Sequence, residues 1–145
     1  MSPEFEVLHT FPNIKIVAIN EPVKKGSWRA RYEDELICIH LSNGQFISFH
    51  AITDCCASVS LRTDVDEFKE LIGKKLSSLV FIKSEDVESG GYGEYITYSY
   101  YKFIFSDNTE FEFDFDGDHG NGGYYAAEVT VYISDVNGKE LEEEE

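Results

Sequence analysis

The chain has 145 residues, 42% of them hydrophobic and 14% aromatic, enough for one domain that removes roughly 70% of its unfolded surface from water, and too apolar for a disordered acidic tail. Asp and Glu number 28 against 12 Lys and Arg, a formal net charge of −16; such a field repels nucleic acid and anionic membrane, so neither is expected as a direct partner, and it favours cationic proteins in a salt-dependent way. No apolar run reaches the roughly 20 residues of a membrane span, the N-terminal residues lack the basic and apolar regions of a signal peptide, and the odd set Cys38, Cys55 and Cys56 suits a reducing compartment, so the expected location is the cytoplasm of a bacterial host.

In chain order, Ile14, Ile16 and Ala18 alternate with Lys15, Val17 and Ile19, which predicts a largely buried strand ending near Pro22. Residues 23–34 are polar and irregular, with Lys24, Lys25, Arg29 and Arg31 grouped around Trp28. Apolar runs at 36–41 and 46–52 flank Ser42-Asn43-Gly44-Gln45. Asn-Gly favours a two-residue hairpin turn because both central positions need φ above zero, so His40 is expected to pair with Ile47, Cys38 with Phe49 and Ile37 with His50. Asp64-Val65-Asp66-Glu67 reads as a capping box; Val65, Phe68, Leu71 and Ile72 recur at helical spacing and Gly73 supplies the left-handed stop, giving one short amphipathic helix over about residues 64–72. A strand over 76–82, a mobile loop over 85–93, a hairpin of 95–105 with 110–115 around Ser106-Asp107-Asn108-Thr109, a Gly-rich loop over 116–123 and a last strand over 124–133 complete the pattern. In that last strand Ala127, Val129, Val131 and Ile133 share one face. The expected fold is α+β: a mainly antiparallel sheet of about six to eight strands with one helix across it. Residues 1–139 form a single acidic domain, and the Glu-rich residues 140–145 are expected to be disordered.

The most informative segment is Glu110 to Asp118. Glu110, Glu112, Asp114, Asp116 and Asp118 alternate with Phe111, Phe113 and Phe115. In a strand, side chains two residues apart point the same way and lie roughly 6.6 Å apart, so this segment offers a row of carboxylates on a support anchored by aromatic rings.

Other chemistries fit less well. The Asp114 to Asn121 segment has carboxylates around a Gly turn, but Gly117 comes too early for an EF-hand loop and no helices flank it. Cys38, His40, His50, Cys55 and Cys56 are zinc-type ligands, yet the two-residue turn puts Cys38 and His40 on one face of the sheet and His50 on the other. Free cysteines are then small buried hydrophobes. A nucleophilic Cys55 or Cys56 beside His50 and Asp54 lacks an oxyanion hole, and Asp54 raises a thiol pKa by repulsion. Phosphate-loop and dinucleotide fingerprints are absent, so neither a catalytic residue nor a cofactor is expected. The dense set Tyr92, Tyr95, Tyr98, Tyr100, Tyr101, Tyr124, Tyr125 and Tyr132 fits an interface or ordinary sheet packing equally.

Thr53-Asp54-Cys55-Cys56-Ala57-Ser58, Leu71-Ile72-Gly73-Lys74-Lys75-Leu76 and Asn121-Gly122-Gly123-Tyr124-Tyr125 occur in that order. The order resembles a group of small uncharacterised phage and prophage proteins with an Asp-Cys-Cys segment, a Leu-Ile-Gly helix end and a late Asn-Gly-Tyr-Tyr turn, over roughly residues 36–133. Leu61 stands where such proteins often carry an aromatic residue, and the N-terminal third and Glu-rich end also differ. The resemblance implies a mobile-element origin and a non-enzymatic accessory role, and transfers no catalytic residue.

Together these features point to a non-enzymatic protein that binds a basic host protein, one that handles nucleic acid, through Glu110, Glu112, Asp114, Asp116 and Asp118, with residues 142–145 as reinforcement: a counter-defence inhibitor that imitates nucleic acid. The alternative is a protein that sequesters a nucleotide signal in a pocket of Asp54, Cys55, Cys56, Asn121, Tyr124 and Tyr125, as a homo-oligomer or alone. A structural or virion-associated component is the third reading. Metal is not called for by any of them.

Overall fold

The computed structural model describes residues 6–20, 31–54, 57–89, 94–119 and 127–134. They form eight strands and one helix: β1 (Glu6–Asn20), β2 (Arg31–Leu41), β3 (Phe46–Asp54), β4 (Ser58–Leu61), α1 (Val65–Lys69), β5 (Lys75–Ser89), β6 (Glu94–Phe105), β7 (Glu110–Asp118) and β8 (Ala127–Ile133). All strand pairs are antiparallel, in the order β4-β7-β6-β5-β1-β2-β3-β8. This is the expected α+β fold with a mainly antiparallel sheet and a single short helix.

β1 joins the two halves of the sheet. Its residues 6–15 pair with β5 and residues 16–20 with β2. Pro12 interrupts the first pairing, since it has no N–H to give a ladder; Asn13 beside it has φ 52°, and the register shifts between Thr10 and Ile14. The strand thus begins well before the alternation of Ile14, Ile16 and Ala18 that reveals it.

The sheet folds on itself around an aromatic core. Phe49 of β3 meets Tyr101 of β6 and Phe113 and Phe115 of β7 at centroid separations of 5.5, 5.3 and 5.3 Å. Phe68, the buried residue of α1, packs on Phe111 and Phe113 at 5.0 and 5.1 Å. Where Gly117 of β7 faces β8, a Cβ at that glycine would stand 3.0 Å from the Ala127 carbonyl oxygen, so the two half-sheets approach closely there.

Several local expectations change. The first hairpin closes with Leu41 N–H donating to the Gln45 carbonyl at 2.9 Å and Gly44 N–H to the Leu41 carbonyl at 3.1 Å, with Gly44 at φ 93°. The turn therefore has three residues, Ser42, Asn43 and Gly44, and only the glycine takes positive φ. Pairing moves by one: His40 opposes Phe46, Cys38 opposes Ser48 and Ile37 opposes Phe49, and a bulge between Glu35 and Ile37 brings Glu35 opposite His50. Cys38, His40, Ser48 and His50 consequently share the outer face, which overturns the expected separation of His50 from Cys38 and His40.

The helix is also shorter than its hydrophobic spacing suggests. Asp64 caps it by accepting from Asp66 N–H at 3.0 Å, and the chain leaves the helix after Lys69 toward Gly73, at φ 98°. Residues 85–89 continue β5 rather than forming a loop, β7 runs on to Asp118, and β4 was not foreseen.

Candidate functional site

The alternation over Glu110 to Asp118 is realised as a strand. Phe113 and Phe115 are buried and the acidic side chains lie on the opposite, outer face; Glu110, Glu112 and Asp118 are exposed, and Asp114 and Asp116 half-buried. Phe113 contacts the rings of Phe49, Phe68, Tyr101, Phe103, Phe111 and Phe115, so the strand carrying the acids is fixed from behind. Because Asp114 and Asp116 belong to this extended strand, they are spread along it rather than gathered as a calcium loop would gather them. Among the described residues no group of three His, Cys, Asp or Glu side chains is placed to hold a metal ion.

The structure adds cations and hydroxyls to the row. Lys102 lies opposite Glu112 in the register and reaches diagonally to Glu110, Nζ to Oε1 3.1 Å. Arg62, just beyond β4, donates from Nη1 to Asp114 Oδ2 at 2.7 Å and holds its guanidinium 4.7 Å from the Tyr98 ring centroid. Thr63 Oγ1 accepts from Asp114 N–H at 3.2 Å, and Ser60 Oγ donates to Asp116 Oδ1. Lys83 lies 5.3 Å from the Tyr100 ring centroid on the same side of the sheet. The outer face of β4, β7, β6 and β5 is thus a charged lattice in which carboxylates outnumber the cations among them. Glu110 and Asp114 are in ion pairs; among the described residues Glu112 has no such pair.

Sequence reasoning missed Arg62, Lys102 and Ser60 as parts of this face. The expected turn at 106–109 would set Lys102 opposite Phe113; the turn has three residues instead, Ser106, Asp107 and Asn108, closed by Phe105 N–H donating to the Thr109 carbonyl at 2.9 Å, and this one-residue change brings Lys102 across from Glu112. Arg62 and Ser60 had no comparable signal, because four residues of β4 reveal no periodicity.

The tyrosines divide. Tyr101 is a core residue, whereas Tyr98 and Tyr100 are half-buried and stand opposite Asp116 and Asp114.

On the outer face of β2, β3 and β8, Ser48 Oγ donates to Glu35 Oε2 at 3.0 Å and meets His50 Nε2 at 2.7 Å. With its one proton on Glu35, Ser48 must accept from the ring N–H, which is the reverse of a nucleophile activated by a histidine base. Tyr132 packs edge-on to His50 at 4.7 Å. Cys38 Sγ lies 3.6 Å from His40 Nε2, to which Asn20 Nδ2 comes within 2.7 Å. Burial, with a smaller push from the Glu35 carboxylate, raises the Cys38 thiol pKa to about 12, so the sulfur stays protonated and unreactive.

Of the alternative pocket, Asp54 ends β3, while Cys55, Cys56, Asn121, Tyr124 and Tyr125 lie outside the described residues, as do residues 140–145. The strands do bring the flanks of both segments to one end of the sheet: Thr53 pairs with Ala127, and Ser58 with Asp118.

Compared with known proteins, residues 12–131 match the family model described as Domain of unknown function (DUF7448). No curated protein and no solved structure matches the chain.

Proposed function

We propose that this chain, which belongs to the DUF7448 family, is a non-enzymatic binding protein that occupies a basic, nucleic-acid-handling surface of a bacterial host protein through the outer face of β7. The observation that carries the reading is the row Glu110, Glu112, Asp114, Asp116 and Asp118 on one face of a strand whose other face is locked into the core by Phe113 and Phe115. A duplex presents one charge per roughly 1.7 Å of axis. A single row at roughly 6.6 Å spacing imitates part of that density without a backbone that must be ordered on binding. Arg62 and Lys102 hold two of the acids in place; the Arg62 pair, half open to water, is a weak local competitor, because exposed ion pairs contribute little. The resemblance of the motif order to small phage proteins suggests the role of a counter-defence inhibitor in the host cytoplasm.

The test is capture from bacterial lysate by the parent and by the variant Glu112→Gln, Asp116→Asn, Asp118→Asn, which leaves the Arg62 and Lys102 pairs intact. A basic protein should be retained by the parent at low salt, released at high salt and absent from the variant. Equal capture by both would contradict the reading.

A second reading is favoured by one observation, the convergence of the flanks of segments 54–58 and 118–127 at one end of the sheet. A nucleotide signal would be held at that end, beside Asp54. Heating the purified protein and analysing what it releases tests this directly, and a binder of that kind would be indifferent to the three substitutions on β7.

A further inference from the structure

We propose that the unpaired side of β4 is a strand-addition site for an extended partner segment in which basic and branched aliphatic side chains alternate. This rests on the acidic-face reading and specifies how the partner is gripped. β4 ends the sheet order. Arg62 N–H donates to the Asp114 carbonyl at 2.9 Å, and the β4–β7 register is unshifted from Ser58 opposite Asp118 to Leu61 opposite Phe115. In an antiparallel ladder bonded and non-bonded residues alternate, so Ser58, Ser60 and Arg62 turn their backbone groups to β7. Val59 and Leu61 turn theirs to the other side, where no described strand pairs with them.

That side has room and a matching chemistry. A groove of about 500 Å³ runs beside β4, with Leu36, Val59, Leu61 and Val65 on its apolar wall and Ser60, Thr63, Asp64 and Arg62 on its polar side, the arginine's charge being engaged by Asp114. Sheet edges are ordinarily guarded by shortness, Lys, Pro or a bulge; Ser58-Val59-Ser60-Leu61 is short, at four residues, but carries no Lys, Pro or bulge. Side chains of an added strand alternate. Those on the inner side would enter the groove beside Val59 and Leu61, and those on the outer side would lie next to Ser58 and Ser60, which are short and exposed. β7 is one strand further in, about 9.6 Å from an added strand at two strand spacings. A Lys or Arg can extend its stem over the low serines toward Asp116 and Asp118, the residues paired with Ser60 and Ser58. An acidic outer residue would meet the same carboxylates and be rejected. Backbone bonding supplies affinity and the alternation supplies specificity.

The probes are three labelled, end-blocked heptapeptides read by fluorescence anisotropy at low salt: alternating Lys and Val, the same composition as a Lys block followed by a Val block, and the alternating peptide N-methylated at every second amide on its pairing edge. The alternating peptide should bind about tenfold more tightly than the other two. Ser60→Lys, which sets a cation between the edge and the acids, should weaken it about tenfold with an unchanged far-ultraviolet spectrum. Equal binding of alternating and block peptides, both lost in the Glu112, Asp116, Asp118 variant, would overturn strand addition and leave the acidic-face reading standing. Failure of every cationic peptide to bind at low salt would overturn both. A dimer of the chain that Ser60→Lys dissociates, without peptide binding, would give the groove to a second copy and overturn the proposal.

Discussion

Arg62 Nη1 lies 2.7 Å from Asp114 Oδ2, an ion pair that ties the end of β4 to the middle of the acidic row on β7. The same guanidinium covers Tyr98 at 4.7 Å. The pair is about half open to water on the arginine side, and exposed ion pairs stabilise little. Arg62→Ala is expected to cost no more than about 1 kcal/mol in urea unfolding. It should also strengthen low-salt binding of a basic partner, since it removes a cation from the acidic face. Weaker binding after this substitution would mean that Arg62 itself contacts the partner.

The support behind the acids is the more sensitive element. Phe113 is buried and touches six other rings. Phe113→Ala is expected to destabilise the fold by about 3–5 kcal/mol, the usual cost of emptying an aromatic core site. Glu112→Gln one residue away should change stability by less than about 0.5 kcal/mol. Chemical denaturation of the two variants separates the inner from the outer face of one strand.

Gly117 interrupts the Phe-acid alternation and by composition belongs to a loop. It lies within β7, at a position where only glycine fits: an added Cβ would stand 3.0 Å from the Ala127 carbonyl oxygen and 3.2 Å from its Cβ. Gly117→Ala is expected to cost about 1–3 kcal/mol by pushing β7 and β8 apart, as overpacking generally does. Thermal unfolding at matched pH measures it.

Cys38 links stability to alkaline pH. Its pKa is raised to about 12 in the fold, by burial first and Glu35 second. Between the ordinary thiol value and about 12 the folded chain keeps a proton that the unfolded chain loses, so this contribution is complete below the ordinary thiol value and is lost as pH rises through that window. In a Cys55→Ser, Cys56→Ser background the native protein should resist thiol reagents at pH 8 and react only after denaturation. Stability should fall less steeply across that window in Cys38→Ala, the remaining slope belonging to the tyrosines and lysines that titrate there.

The strongest periodic signals were legible in residues alone: the Phe-acid alternation became β7, Ala127, Val129, Val131 and Ile133 became one face of β8, and Asp64 and Gly73 bounded the helical segment. What failed did so for local reasons. Asn43-Gly44 was read as a two-residue turn, but Ser42 joined it and only Gly44 took positive φ, which moved His50 onto the face of Cys38. Residues 85–89 resemble a polar loop but gain ladder partners from residues 94–98 across the hairpin. The site was legible as a row of acids and not as a lattice, because Arg62 and Asp114 are brought together by a strand pairing over 52 positions of sequence.

Mimicry is tested most directly by displacement. A labelled DNA duplex is bound to the basic protein captured from lysate, and the chain is titrated in at low salt. The account predicts that the parent releases the duplex as it binds, while the Glu112→Gln, Asp116→Asn, Asp118→Asn variant leaves it in place. A ternary complex that retains the duplex, or equal displacement by the variant, would contradict the claim that the outer face of β7 occupies a nucleic-acid site.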